Sequence, residues 1–235
     1  ECNNELINRM QGLCRGTGYC PLHLRAMTRL TIIIVACNEA LNIAECVRSA
    51  RFADEVLVLD SGSTDGTPEL ARAEGATVMV TDWPGYGRQN NRGIDSAVGD
   101  WFFSLDADER IPSELAAEIR AAIQRPDVNG FRVPRTSMYC GQFIRHGGWR
   151  PDYTWRLARR GKGRFTEHFL HAHLVVDGPT GTLRHSMVHY SYRSMDSVLE
   201  KLNRYSSASV RDMIADWRKA PCWRATLHGL WAFFR

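Results

Sequence analysis

Two carboxylates, Asp106 and Asp108, stand at i and i+2 directly after the apolar run Trp101-Phe102-Phe103-Ser104-Leu105. In an extended chain, side chains two apart lie on the same side. Paired carboxylates repel each other, and a divalent cation between them relieves the repulsion. Oxygen-only donors suit Mg2+ or Mn2+ better than Zn2+, and such ions keep positions open for substrate phosphates. Asp108-Glu109-Arg110 reads equally as the solvated start of a helix. Asp60 ends a second apolar run and is followed by the turn Ser61-Gly62-Ser63. A carboxylate there can accept hydrogen bonds from a ribose or base, or it can simply shape the turn and cap the next helix. A third polar pair, Asn38-Glu39, follows the run Leu30 to Ala36.

Other chemistry-bearing residues are less specific. His185 and His189 are four apart, but their surroundings read as extended, which disfavours a helix-borne zinc pair. The segment from Arg156 to Arg164 carries Arg156, Arg159, Arg160, Lys162 and Arg164, and suits either a diphosphate clamp or a solvated basic loop. No G-x-G-x-x-G follows the first strand, and neither a G-x-x-x-x-G-K-[ST] loop nor a G-x-S-x-G elbow is present. The fingerprints of nicotinamide, Walker-type and hydrolase-elbow chemistry are therefore missing.

The elements that must position these residues alternate. Leu30–Ala36, Glu55–Asp60, Ala76–Val80 and Trp101–Leu105 are short, mostly apolar runs, as buried strands require. Between and after them, Glu39–Arg51, the segment up to Ala73, Tyr86–Val98 and Pro112–Gln124 read as helices. Strand–helix alternation with short links predicts an α/β fold with a mainly parallel, Rossmann-like sheet flanked by helices. Ligands of such sheets sit beyond the carboxyl ends of the strands, where all three polar clusters lie. After residue 125 the pattern changes. Gly130–Pro134, Met138–Ile144, Thr154–Ala158 and Leu174–Val176 read as short strands, then Ser194–Ala215 as a helix. Trp223, Leu227, Leu230, Trp231 and Phe234 recur at helical spacing, with Arg224, His228 and Arg235 off that face.

Composition sets outer bounds. The 235 residues are 44% hydrophobic and 24% charged, with a net charge of +4, which excludes disorder across the chain and gives no argument for nucleic acid. Of the 30 cationic residues only Lys162, Lys201 and Lys219 are lysines. The best apolar run is far short of the roughly 20 residues a membrane span needs. No signal peptide is visible, and the seven cysteines form no C-x-x-C pair, which fits a reduced, cytoplasmic setting. Residues 1–28 lack periodicity and read as an extension ahead of a natural start at Met27. Residues 29–125 form the alternating half, 126–192 a second half of the same domain with a changed pattern, and 193–235 terminal helices.

Together these residues resemble the family 2 glycosyltransferases of GT-A fold. The resemblance is carried by Thr31 to Glu39, Leu57 to Thr67, Trp83 to Asn91 and Leu105 to Glu109, ordered motifs at family spacing. Gly147 to Asp152, Arg156-Leu157, Arg159 to Gly163 and His189 to Tyr192 are similar to bacterial enzymes of lipopolysaccharide core assembly. The resemblance implies transfer of one sugar, with inversion, from a nucleotide sugar (a UDP-hexose) to a glycolipid acceptor. It implies a Mg2+ or Mn2+ cofactor held by Asp108 with Asp106 and His189. It implies that residues 29–125 bind the nucleotide sugar and 126–192 the acceptor, that Asn38, Glu39 and Asp60 line the nucleotide pocket, that Asp106 helps hold the ribose, that Gln89 and Asn91 lie near the nucleotide or sugar, and that Arg156 and its basic neighbours meet the leaving diphosphate or an anionic acceptor.

The chain departs from the pattern at Ser61, Asn90 and Ala172, where relatives often carry an aspartate, a basic residue and a glutamate that serves as general base. Glu167 and Asp152 are the nearest replacement carboxylates by sequence. No Q-x-x-R-W motif points to processive synthesis. The arginine-flanked apolar face near the C-terminus suits a peripheral position on a cytoplasmic membrane surface, or packing on the core or a second copy. Two further classes stay open: a sugar-nucleotide-forming nucleotidyltransferase and a catalytically degenerate nucleotide-binding scaffold.

Overall fold

The computed structural model describes residues 28–235 except 145, 147–148, 150–151, 168–171, 193, 197, 200–201, 204–205, 207–220 and 235, and omits the side chains of 222, 225 and 232–234. The expected extension over 1–28 therefore lies almost wholly outside the described residues, as do most of the helix expected over Ser194–Ala215 and residue His171.

Four strands open the sheet: β1 (Leu30–Ala36), β2 (Glu55–Asp60), β3 (Thr77–Val80) and β4 (Trp101–Asp106). They run parallel in the order β3-β2-β1-β4. Because β1 is buried on both faces, its alternating side chains feed two cores. Leu30, Ile32, Ile34 and Ala36 enter one, and Ile33 enters the other. The first core is closed by α1 (Ile43–Ala50), α2 (Thr67–Ala73) and α4 (Ser113–Ala122). On α1 the buried Ile43, Cys46, Val47 and Ala50 recur at i, i+3, i+4 and i+7, the stripe a core-facing helix needs. On the opposite face lies α3 (Tyr86–Ser96).

The first helix starts later than the reading from Glu39 predicts. The Glu39 amide donates to Thr67 Oγ1 at 2.8 Å and the Ala40 amide to Asp65 Oδ2 at 2.9 Å. These bonds tie the β1 exit to the loop after β2, so residues 40–42 form turns. Asn38 adopts a left-handed φ of 55°, a conformation that asparagine tolerates better than most residues.

Beyond residue 108 the sheet continues with mixed direction. It contains β5 (Glu109–Arg110), β6 (Gly130–Tyr139), β7 (Gln142–Phe143), β8 (Tyr153–Arg159), β11 (Thr180–Thr182) and β12 (Met187–Tyr192). The order is β4-β8-β6-β12-β5, with β7 and β11 also on β6. β8 is antiparallel to both β4 and β6, whereas β12 is parallel to β6. A separate pair, β9 (Gly163–Phe165) and β10 (Leu174–Val176), packs beneath α3. Glu109-Arg110 is thus a strand rather than a helix start, because its backbone pairs with Val188 and His189 of β12. The two stretches expected over Gly130–Pro134 and Met138–Ile144 become the single long β6 and the short β7, while β9, β11 and β12 went unread. The last helix, α5 (Cys222–Phe234), carries exposed Trp223, Leu227, Leu230 and Trp231. Among the described residues no helix is long and apolar enough to cross a membrane.

α3 sits close to the sheet because Gly93 has no side chain. A Cβ there would lie 2.5 Å from Ile33 Cγ2 and 2.8 Å from Leu59 Cδ1. Gly93→Ala is expected to lower stability by about 1–2 kcal/mol, since overpacking outweighs the helix propensity gained. Urea denaturation measures it, and an unchanged or raised midpoint would refute this packing account.

Candidate active site

The chain leaves β1 toward β2 on one side while β4 pairs with β1 on the other, so the strand order reverses between β1 and β4, and ligands of such sheets sit beyond the strand ends at that point. A cleft of about 460 Å3 occupies this place. Val35 and Glu39 line its β1 end, Asp106 to Asp108 its β4 end, and Ser137, His189, Ser191 and Tyr192 the far wall from β6 and β12. Arg135, Trp149 and Asp152 complete that wall.

A buried charge network underlies the cleft. Arg156 on β8 is 4% exposed. Its Nη2 donates to Asp106 Oδ2 at 2.6 Å and to Glu109 Oε1 at 2.7 Å, and its Nη1 donates to Tyr86 Oη at 3.1 Å. Tyr86 in turn donates to Asp106 Oδ1 at 2.6 Å. Glu109 Oε2 accepts the Asp106 amide at 3.0 Å. Arg135 reaches Glu109 Oε1 at 3.4 Å, and its Nε donates to Asp152 Oδ2 at 2.8 Å. Burial opposes charge on Arg156, but Asp106 and Glu109 more than offset it and hold the guanidinium protonated. Burial also pushes against Asp106, yet Arg156 and the Tyr86 hydroxyl bring its carboxyl below the usual range. Glu109 is fully enclosed, and there burial wins and raises the carboxyl. Burial raises the Tyr86 phenol as well, so it stays a donor.

The residues singled out from the sequence separate into two groups. Glu39, Asp106, Asp108, Asp152 and His189 converge on the cleft. Asn38, Asp60, Gln89 and Asn91 build its surroundings. Asn38 Oδ1 accepts the Thr64 amide at 2.9 Å. Asp60 is fully buried and accepts the Gly62 and Ser63 amides and the Ser63 hydroxyl. Gln89 donates to Ser61 and Thr81, and Asn91 exchanges two bonds with the Phe165 backbone, which fastens β9 to α3. Arg156, expected at the leaving diphosphate, lies beneath the carboxylates instead. Glu167 does not line the cleft; it is largely exposed and pairs with Arg88 at 3.0 Å. Sequence reasoning missed Tyr86, Glu109, Arg135, Trp149 and Tyr192. The exception in principle is Glu109, whose place next to the Asp106/Asp108 pair was a signal.

The side chains fit a divalent cation at one place. His189 Nε2 stands 3.4 Å from Asp108 Oδ2, while its Nδ1 meets Ser191 Oγ at 2.9 Å. A histidine anchored at one ring nitrogen presents the other in a fixed direction, as metal-binding imidazoles do. Both oxygens of Asp106 already meet protein donors, so Asp108 and His189 are the better pair of ligands. No group of three or more His, Cys, Asp or Glu ligands gathers among the described residues. Two protein ligands suit Mg2+ or Mn2+, which commonly take their remaining ligands from water and substrate phosphates.

Arg156→Met would leave the partly buried Asp106 and the fully buried Glu109 carboxylates without their shared cation. The expected loss is about 3–5 kcal/mol, against about 1–2 kcal/mol for Tyr86→Phe. Urea titration of both variants checks the ranking, and equal losses would contradict Arg156 as the hub.

The matrix of strands, cleft and motifs has known counterparts. The profile of Glycosyl transferase family 2 matches residues 31–189. The lipopolysaccharide core biosynthesis glycosyltransferase LpsC of Rhizobium meliloti is 30% identical over 200 residues, covering 81% of this chain and 73% of that protein. An uncharacterized glycosyltransferase of Rickettsia felis is 27% identical, with 89% and 78% covered. Among solved structures, S. aureus TarS 1-349 in complex with UDP aligns with a TM-score of 0.53 at 18% identity, covering 73% of this chain and 62% of that one. Glucosyl-3-phosphoglycerate synthase from Mycobacterium tuberculosis, in complex with Mn2+, UDP and phosphoglyceric acid, aligns at 0.50 and 19% identity, with 73% of each chain covered. These neighbours are glycosyltransferases of GT-A fold, so the curled, mostly parallel sheet flanked by helices is that fold. With the family profile spanning most of the ordered sheet and a 30% identical relative covering most of its length, the chain belongs to glycosyl transferase family 2 and is a glycosyltransferase.

Proposed function

We propose that this enzyme moves one sugar from a nucleotide sugar, a UDP-hexose, to a glycolipid acceptor of the lipopolysaccharide-core type. The observation that carries this reading is the meeting of Asp108, His189, Asp152 and Glu39 in one cleft at the switch point of the sheet. The UDP in the TarS structure and the role of LpsC in lipopolysaccharide core biosynthesis support the donor and acceptor classes.

In this reading Glu39 and the β1 and β2 exit loops, shaped by Asn38 and Asp60, bound the nucleotide. Asp108 and His189 would hold Mg2+ or Mn2+. Bound there, the cation supplies charge neutralisation for the departing diphosphate. Asp106, clamped by Arg156 and Tyr86, fixes the β4 end and so the place of Asp108. The acceptor hydroxyl attacks the anomeric carbon, its oxygen–carbon bond forming as the bond to the UDP oxygen breaks. Asp152 takes the hydroxyl proton. Attack from the face opposite UDP inverts the anomeric centre, and positive charge builds on the sugar as in glycoside cleavage. Asp152 is favoured over Glu167 because it alone of the two lines the cleft, its orientation set by Arg135.

Calorimetric titration with UDP and Mn2+, coupled to a UDP-release assay, tests both assignments. Asp108→Ala is expected to abolish the Mn2+ dependence of UDP binding. Asp152→Asn is expected to keep UDP binding but lower turnover about 100-fold or more, whereas Glu167→Gln stays near wild type. Loss of turnover in Glu167→Gln with full activity in Asp152→Asn would reverse the assignment.

The exposed Trp223, Leu227, Leu230 and Trp231 of α5, with Arg224 and His228 alongside and no acidic residue in the helix, support a peripheral seat on an anionic, cytoplasmic membrane surface. Sedimentation with vesicles containing phosphatidylglycerol is expected to carry the wild-type chain down and to leave Trp223→Asp/Trp231→Asp in solution. Equal partitioning of the two would reject this seat.

A further inference from the structure

Three aromatic rings, Tyr139, Trp149 and Tyr192, pack together where β6 and β12 end, and the last two line the cleft. Tyr139 and Tyr192 are cross-strand neighbours at the ends of β6 and β12, with ring centroids 5.5 Å apart. The Cys140 amide donates to the Tyr192 carbonyl at 2.8 Å, which locks this strand end. Trp149 packs edge-on to both, 6.4 Å from Tyr139 and 6.2 Å from Tyr192, at interplanar angles of 79° and 68°. Edge-to-face contacts of this kind fix a ring's orientation. Trp149 nevertheless remains 40% exposed. An indole held in place by two tyrosines and still open at a cleft wall is a surface prepared for a ligand.

We infer that Trp149, buttressed by Tyr139 and Tyr192, is the acceptor subsite and stacks against the C–H face of a pyranose ring. The inference rests on the glycosyltransferase reading above. The ring cluster's position identifies the ligand. Val35 and Glu39 bring the β1 exit to the cleft, whereas Tyr192 lies at the end of β12, four strands further along the sheet, with Trp149 packed against it. A donor nucleotide at the β1 end leaves the aromatic end to the second substrate. Trp149 and Asp152 line the same cleft, so a sugar on the indole shares that space with the carboxylate proposed as base. Sugars match such a wall because their axial C–H groups meet the electron-rich ring face while their hydroxyls remain available to polar neighbours.

The test uses the full chain and two probes: UDP with Mn2+, followed by calorimetry, and a lipopolysaccharide core oligosaccharide released by mild acid, followed by saturation-transfer NMR and titration. Trp149→Ala is expected to weaken oligosaccharide binding about tenfold or more while UDP binding stays within about twofold, and Trp149→Phe is expected to recover most of the loss. In turnover Trp149→Ala is expected to raise KM for the oligosaccharide about tenfold or more with a smaller change in kcat. Unaltered oligosaccharide binding in Trp149→Ala, or a loss confined to UDP, would overturn the subsite. If the wild-type chain binds the oligosaccharide but neither UDP nor UDP-sugars, the transferase reading fails instead, and the subsite, as an acceptor site, falls with it.

Discussion

Arg156 is the group on which the site depends. Removing a guanidinium and two carboxylates from water is costly, and the arrangement is stable only because each charge finds several partners. Arg156 binds Asp106 and Glu109 through one nitrogen and Tyr86 through another. These partners come from β4, β5 and α3, while Arg156 comes from β8. One side chain therefore locks the parallel half of the sheet to the antiparallel strand that begins the second half. The Tyr86 ring also packs edge-on to Phe165, 5.9 Å away, which joins β9 to the same assembly.

From that lock the cleft acquires two different walls. One wall consists of loops leaving parallel strands, bound together by short polar side chains: Asn38 to Thr64, Asp60 to Gly62 and Ser63, Asp65 to Ala40 and Thr67. The opposite side consists of β6 and β12, whose ends carry tyrosines, serines and His189. The hydrogen-bonded loops hold a geometry without filling the space above them. The strand ends supply rigid rings and an imidazole. Such a division suits a reaction between two unlike substrates.

The substitution at Ala172 is easier to place within this geometry. A Cβ added to Gly87 would lie 3.0 Å from the Ala172 Cβ and 2.0 Å from the Thr166 carbonyl oxygen, so residue 172 packs tightly against the start of α3. The carboxylate proposed as base, Asp152, comes from another part of the chain and lines the cleft. Asp152 is held by Arg135, and Arg135 is linked through Glu109 to the Arg156 hub.

The parallel half of the fold and its three polar clusters were legible from the sequence because their causes are local. Buried strands are short apolar runs, turns need Gly, Ser and Asp, and a carboxylate at a strand end stays there however the sheet is assembled. The second half was harder to read. β6 crosses Pro134 and changes partners along its length, and β9, β11 and β12 are short strands that gain order from pairing rather than from pattern. The roles of individual carboxylates and cations were not local at all. Glu167 and Asp152 are equivalent candidates along the chain, yet one pairs with Arg88 at the surface and the other faces the cleft. Arg156 reads as part of a basic loop, but its partners are 47 to 70 residues away, and burial beside them makes it a structural cation. Residue types and their spacing along the chain name the groups able to do the chemistry. Which of those groups meet is set by folding, because contact across the sheet depends on strand pairing and burial that no local spacing encodes.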